Sequence, residues 1–150
     1  MKILSIPNEN GKMTCFWEEG ASSGKKPLII CLADKEEDAQ RDLNLLFSQA
    51  NGASVAALVI YPQTEEQIVG DWLYSLRQRE DVDENRITLT GTLSAADWVW
   101  RLGSHFPQWF AGICAVGGYG DPYEVRAMKN VPVRAYLVEE EPQIIRKGKV

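Results

Sequence analysis

Histidine and cysteine are scarce in this chain. Its 150 residues include one histidine, His105, and three cysteines, Cys15, Cys31 and Cys114, which are odd in number and widely spaced. That spacing fits neither a disulfide framework nor a zinc-binding pattern, and it predicts buried free thiols in a reducing compartment. The donors are too few and too scattered for a zinc site. We therefore expect no metal, no cofactor and a cytoplasmic location.

Long apolar runs and an excess of basic residues are also missing. No window approaches the roughly 18 apolar residues that span a bilayer, and the N-terminal MKILSIPNENGK has no small-residue cleavage site. Lysine and arginine total 16 against 21 aspartates and glutamates, for a net charge of −5. Proteins that bind nucleic acid concentrate basic residues instead. These absences predict no membrane partner and no nucleic-acid partner.

The order of apolar and polar segments predicts one α/β domain over residues 1–150. Two N-terminal segments, 2–6 and 12–17, flank the turn-like PNENG and predict an antiparallel hairpin. Short buried strands then alternate with amphipathic helices, and short linkers favour right-handed crossovers. We expect a mostly parallel sheet with helices on both faces. The predicted strands cover 28–32, 55–61, 87–90, 110–116 and 131–138, and the predicted helices start near 34, 64, 94 and 123.

Three of these helices follow pairs of residues with the spacing of a capping box. In such a pair the first side chain accepts a hydrogen bond from a free backbone amide of the first turn. A serine in that role stabilises its helix by about 1 kcal/mol without any catalysis. The pairs are Asp34 with Glu37, Thr64 with Gln67, and Ser94 with Asp97.

Two glycine-rich segments are poor candidates for phosphate loops. GASSGKK has one residue too few between its glycines, lacks a Ser or Thr after the lysine, and precedes a strand. GGYG, after the 110–116 strand, does not have the G-x-G-x-x-G spacing. His105 lies near the C-terminal end of a predicted helix, where we expect it to interact favourably with the helix dipole or to pack against its neighbours, and not to act in catalysis.

The segment from Arg86 to Gly103, RITLTGTLSAADWVWRLG, has the outline of a strand, a sharp turn and a helix. It continues a polar DVDENRI lead and is followed by a helix ending in FP, a GG-x-x-DP loop and a VPV strand. Together with the earlier KKPLIICLAD, this order resembles α/β-hydrolases of the esterase or predicted-peptidase kind, which include feruloyl-esterase-like and polyhydroxybutyrate-depolymerase-like proteins. The resemblance covers roughly residues 26–142. It implies a minimal α/β-hydrolase-like sandwich preceded by the N-terminal antiparallel hairpin.

The resemblance also implies where catalytic groups would fall. Gly91 matches the first glycine of the family's G-x-S-x-G elbow, the nucleophile's place falls on Leu93, and the second glycine's place falls on Ala95. A slide of one residue makes Ser94 the candidate nucleophile. We therefore expect that hydrolysis through this elbow has been lost.

The other parts of the family's site depart from its pattern too. The His-Gly pair of the oxyanion motif falls on Ala33 and Asp34, and a carboxylate there would repel a developing oxyanion. The acid's place falls on Glu141. The family's histidine comes from a loop further along than Val150, so the resemblance implies no base within this chain.

Three interpretations stay open. In the first, the domain acts by binding, with a homodimer or protein partner at the edge of the last strand unless the tail covers it; either Trp98 or Trp100, which point about 200° apart, would be exposed for a partner. In the second, Ser94 is an active nucleophile with Glu141 or Asp121 as the acid and a histidine from another chain. In the third, an acidic pocket at the strand ends holds a cation or amine ligand. That pocket would be formed by Asp34, Asp97, Asp121 and Glu139–Glu141.

Overall fold

A computed structural model describes residues 2–6, 13–21, 23–61, 64–92, 94–116 and 131–136. The strands are β1 (Lys2–Ile6), β2 (Met13–Glu18), β3 (Lys26–Ala33), β4 (Ser54–Val59), β5 (Val82–Thr92), β6 (Gly112–Val116) and β7 (Val133–Tyr136). The helices are α1 (Glu36–Gln49), α2 (Glu66–Arg77) and α3 (Ser94–His105), and a 3₁₀ turn covers Pro107–Trp109. Every strand that the sequence predicts is present; β1 has the predicted bounds, and the other strands differ from the prediction at one or both ends. The predicted helix that starts near 123 lies outside the described residues.

The described strands form one sheet in the order β1-β2-β4-β3-β5-β6-β7. β1 and β2 pair antiparallel, as predicted for the N-terminal hairpin, and β2 pairs antiparallel with β4. The remaining neighbours, from β4 through β3, β5 and β6 to β7, are parallel. The predicted fold class, a mostly parallel sheet with helices on both faces and an N-terminal hairpin, is confirmed.

Side chains alternate across the strands and build a core on each face. On one face α2 and α3 pack over the centre of the sheet, where Ile30, Leu89 and Ile113 are buried beneath them. On the other face α1 covers a smaller core that includes Leu43 and Val59. The second core spans only the strands nearest the hairpin. The two faces of the sheet are therefore covered to different extents.

The predicted capping boxes at the first two helices are wrong. The N-cap of α1 is Lys35 and that of α2 is Glu65, and neither makes a side-chain cap hydrogen bond. Carboxylates instead occupy the first turn of both helices, where they interact favourably with the positive end of the helix dipole. As predicted, α1 stops just before Asn51 and Gly52, which take the positive φ angles of 48° and 94°.

The polar lead of the third predicted strand belongs to β5, which begins five residues earlier than expected. The register between β3 and β5 shifts between the pairs Lys26–Val82 and Leu28–Ile87. The extra residues turn outward, where Asp83 accepts hydrogen bonds from the Asn85 backbone N–H at 3.0 Å and from Arg86 Nε at 2.7 Å. These bonds hold the pKa of the Asp83 carboxyl below its usual range. The irregularity breaks the alternation of apolar residues, so this part of the strand could not be predicted from the sequence.

Both tryptophans of α3 are half-buried against the core of the α2–α3 face. The Arg101 guanidinium lies 4.6 Å from the centre of the Trp98 ring. The expectation that one of Trp98 and Trp100 is exposed for a partner is therefore wrong. Within the described ranges, none of the helices combines the length and the hydrophobicity needed to cross a bilayer.

Candidate functional site

The parallel strands bring two of the predicted site residues, Ala33 and Gly91, to one edge of the sheet. Leu32 of β3 pairs with Gly91 of β5, and Gly91 pairs with Ala115 of β6. The chain therefore leaves β3 after Ala33 directly beside the end of β5. Ligands of open α/β sheets bind beyond the carboxyl ends of the strands, so this edge is the place that the fold offers for a site.

The connection from β5 to α3 is as short as an elbow requires. β5 ends at Thr92 and α3 begins at Ser94, so one residue, Leu93, separates strand from helix. A Cβ atom on Gly91 would lie 2.8 Å from Val99 Cγ2 and 3.0 Å from the Ala95 carbonyl oxygen. Glycine at position 91 thus allows the first turns of α3 to pack directly on the end of β5.

The side chains that decide the chemistry of this turn fall outside the described part of the structure. Leu93 and the side chain of Ser94 both belong there, so the nucleophile and capping interpretations of Ser94 stay predictions. Ala95, at the place of the family's second elbow glycine, is buried in the first turn of α3. The close approach of strand and helix at this turn depends on Gly91, since a Cβ there would meet the Ala95 backbone.

The expected oxyanion position lies at the same edge. Ala33 is buried as the last residue of β3, and its carbonyl oxygen accepts a hydrogen bond from the Ile60 backbone N–H at 2.8 Å. Asp34, the next residue, is exposed and stands before the N-cap of α1. A carboxylate at this place disfavours negative charge developing beyond the strand ends.

The structure describes only some of the residues predicted to act as the acid or to form the acidic pocket. Glu141, its neighbours Glu139 and Glu140, and Asp121 lie outside the described residues. Asp97 is half-buried in the first turn of α3. Among the described residues, no group of three histidine, cysteine or carboxylate side chains is close enough to hold a metal ion.

His105 is held at the far end of α3 from Ser94. Eleven residues of helix separate the two, which at 1.5 Å per residue is about 16 Å. His105 Nδ1 lies 2.8 Å from Glu66 Oε1, so the imidazole is engaged with the first residue of α2. The structure therefore does not bring His105 and Ser94 of one chain together.

The three cysteines are free, as the sequence predicts. Cys15 and Cys31 are buried, whereas Cys114 is half-buried. Burial raises the pKa of the Cys15 thiol to about 12. Burial, aided by the Asp42 carboxylate 3.8 Å from Cys31 Sγ, raises the pKa of Cys31 to about 12 as well. Neither buried thiol is a nucleophile at neutral pH, because the thiolate is the reactive form.

A groove at the opposite edge of the sheet was missed by sequence reasoning. It encloses about 560 Å³ at the amino ends of β3 and β5, and part of the GASSGKK loop lines it. Two ion pairs lie at this groove: Lys26 Nζ lies 3.1 Å from Glu19 Oε1, and Arg79 donates hydrogen bonds of 2.9 and 3.1 Å to Asp81. The lining residues are Glu19, Gly20, Ala21, Ser23, Gly24, Lys26, Glu80 and Asp81.

Solved structures identify this architecture. A thermostable esterase superposes with a TM-score of 0.80 at 17% sequence identity, over 99% of this chain and 49% of the esterase. A 2,6-dihydroxy-pseudo-oxynicotine hydrolase gives a TM-score of 0.65 at 15% identity, over 81% of this chain and 38% of the hydrolase. An acetyl xylan esterase from Aspergillus awamori gives 0.62 at 10% identity, over 80% and 53% of the two chains.

The fold is that of the α/β-hydrolases. The resemblance seen in the sequence is thereby confirmed at the level of the fold. No protein-family model and no curated protein sequence matches the chain. The chain spans about half the length of the two esterases named above. The match shows a shared fold and does not transfer the substrates of those esterases to this chain.

Proposed function

We propose that this α/β-hydrolase domain does not hydrolyse esters or peptides and acts by binding. The observation that carries the proposal is the elbow, where the single residue between β5 and α3 is Leu93. In the fold's serine enzymes that place holds the nucleophile. A leucine side chain has no group that can attack a carbonyl carbon. The chain therefore keeps the strand–helix connection of the elbow but has no nucleophile at the expected position.

Two further features support the loss of catalysis. The imidazole of His105 is engaged with Glu66 and lies about 16 Å along α3 from Ser94. Asp34 follows β3 at the place of the family's oxyanion motif. A serine without a base is a poor nucleophile, and a negative charge beside the oxyanion site raises the barrier further.

A serine-directed fluorophosphonate probe tests this proposal directly. We expect no covalent adduct on the intact chain by mass spectrometry, under conditions in which an active serine esterase is fully labelled. The Ser94→Ala variant is the matched control and should behave identically. Labelling of the wild-type chain that disappears in Ser94→Ala would show that the proposal is wrong.

The second candidate is an active serine hydrolase of the esterase or peptidase type. It is favoured by the fold match, because the matched structures are described as esterases and hydrolases. Ser94 would be the nucleophile, Glu141 the acid, and the histidine would come from another chain. In that case labelling of Ser94 would depend on protein concentration, since the site would need two chains.

A homodimer or a protein partner at the β7 edge belongs to the same proposal. β7 is the last strand of the described sheet, and an open strand edge can pair with another chain. A cytoplasmic location accords with three free cysteines, because reducing compartments keep thiols unpaired. Sedimentation over a hundredfold range of concentration tests the dimer, and a constant monomer mass would exclude it.

A further inference from the structure

The groove at the amino ends of β3 and β5 lies at the opposite edge of the sheet from the elbow. β3 has eight residues, so the two edges are separated by about 23 Å at 3.3 Å per residue. The groove encloses about 560 Å³, which falls within the roughly 300–1,000 Å³ typical of small-molecule sites. A ligand bound there would not touch the elbow, so a function of the groove is additional to the one proposed above.

The backbone on both sides of the groove is held by contacts within the fold. Gly20 packs so closely on the Gly52 carbonyl that a Cβ atom would not fit, and its N–H donates a buried hydrogen bond of 3.0 Å to Ser54 Oγ. On the other side, the Lys26 backbone N–H donates a hydrogen bond of 3.1 Å to the Asp81 carbonyl oxygen. Because these walls are fixed in advance, a ligand would lose little free energy in ordering them.

Lys26 places a buried ammonium group in the lining of the groove. The residue is only 5% exposed, and lysine is almost never buried to this extent without a partner. Its ammonium has three N–H donors, and the only acceptor that the described residues supply is Glu19 Oε1, at 3.1 Å. Two N–H groups are therefore left for an acceptor inside the groove. A carboxylate is the strongest such acceptor, because both groups of the hydrogen bond are then charged.

The groove carries charges of both signs. The Asp81 carboxyl accepts two hydrogen bonds from Arg79, which hold its pKa below the usual range, so it is ionised. The Glu80 carboxylate lines the groove, is exposed, and has no hydrogen-bond or ion-pair partner in the described part of the chain. Lys25 lies between two lining residues and adds a further cation. A ligand of a single charge would therefore meet like charges as well as opposite ones.

We propose that the groove binds a small zwitterion, a free α-amino acid. Its carboxylate accepts hydrogen bonds from the Lys26 ammonium, and its own ammonium group pairs with the Glu80 carboxylate. A free amino acid supplies both charges in one small molecule, whereas either end of a peptide supplies only one of them. A metal ion does not fit as well, since no three metal-binding side chains of the described residues come close enough together to hold one.

Isothermal titration calorimetry of the full chain with each common L-amino acid in turn tests this proposal. At least one amino acid should bind with a Kd of about 1 mM or lower, an ordinary affinity for so small a ligand. Two derivatives of that amino acid serve as comparisons: its amide, which lacks the carboxylate, and its N-acetyl form, which lacks the ammonium group. Each should bind about tenfold more weakly than the parent, because each loses one hydrogen bond between charged groups.

Two variants assign the two charges of the ligand to the two residues. Glu80→Gln should weaken the parent amino acid about tenfold and leave the N-acetyl form unaffected, since that derivative has no ammonium group. Lys26→Met should remove the preference for the amino acid over its amide. Glu37→Gln, at an exposed position of α1, is the matched control and should bind like the wild type. Glu80 is exposed, so its variant keeps the test decisive even if Lys26→Met does not fold.

Three results would overturn the proposal: no amino acid that binds with a Kd near 1 mM or lower, an amide or N-acetyl form that binds as tightly as its parent, or an unchanged affinity in Glu80→Gln. An amide that binds as tightly would identify the groove as a site for cations, and an equal N-acetyl form would identify a site for anions. Failure of the proposed function would appear separately, as fluorophosphonate labelling of Ser94.

Discussion

At the scale of single residues, Gly91 determines how closely the elbow helix approaches the sheet. The position has no room for a Cβ, because the nearest atoms would be 2.8 and 3.0 Å away and one of them belongs to the backbone. Side chains could move aside, but the Ala95 carbonyl is part of α3. This glycine is therefore explained by packing alone, whether or not the elbow has any catalytic role.

Gly91→Ala should destabilise the domain by about 1–3 kcal/mol, since a methyl group inserted into this contact forces α3 away from β5. Urea unfolding monitored by tryptophan fluorescence measures the change. Gly112→Ala is the matched control, because its Cβ would lie at an ordinary 3.5 Å from the Pro132 carbonyl oxygen. That variant should be neutral or slightly stabilising, since alanine loses less backbone entropy than glycine. Equal losses in both variants would contradict the packing explanation.

At the scale of secondary-structure elements, the contact between His105 and Glu66 joins the last residue of α3 to the first residue of α2. The two atoms are 2.8 Å apart, and both side chains are about one-third exposed. Glu66 also lies at a helix N-terminus, where a carboxylate interacts favourably with the helix dipole. The pair thus links the two helices that cover the larger core, in addition to their packing on that core.

A double-mutant cycle of His105→Ala and Glu66→Ala should give a coupling energy of about 0.5–1 kcal/mol, the usual range for a partly exposed pair. Unfolding of the two single variants and the double variant in urea supplies the values. The cycle of His105→Ala with Glu65→Ala is the comparison and should show no coupling, since Glu65 is exposed. A coupling within error of zero for His105 and Glu66 would mean that core packing alone positions the helices.

The same scale shows what the sequence can predict. Apolar runs such as LIICL and VAALVIY locate β3 and β4, because parallel strands buried on both faces leave a continuous apolar signal. Helix starts are less predictable, since Lys35 and Glu65 are N-caps that make no side-chain cap bond. For the candidate site, the sequence places Gly91 near the end of a strand, where the structure has it, while the roles of the site residues stay predictions. It cannot indicate the groove near Lys26 or the contact between the ends of α3 and α2, which depend on residues far apart in the chain.

At the scale of the whole molecule, the sheet separates two cores that share no side chains. Leu102 of α3 is completely buried on the larger side, and Leu43 of α1 is completely buried on the smaller side. The backbone of the sheet lies between them. Perturbations of the two cores should therefore act independently on the stability of the fold.

Leu43→Ala and Leu102→Ala should each destabilise the domain by about 2–5 kcal/mol, through lost burial and a cavity. Their effects should add within about 0.5 kcal/mol in the double variant, because distant sites without shared partners are independent. Guanidinium unfolding of the set measures this, with Leu102→Ala plus Val99→Ala as the coupled control on one helix. A large departure from additivity in the Leu43–Leu102 pair would show that the sheet transmits strain between its faces.

The pairing of β3 with β5 has a consequence for synthesis on the ribosome. Leu28 pairs with Ile87, so about 60 residues must be made after β3 before its partner exists. At 5–20 residues per second this takes about 3–12 s. During that interval β4 can already protect one side of β3, whereas the other side stays available to any extended chain nearby. Rapid translation between residues 33 and 92 would shorten the time in which that side of β3 can pair with another strand.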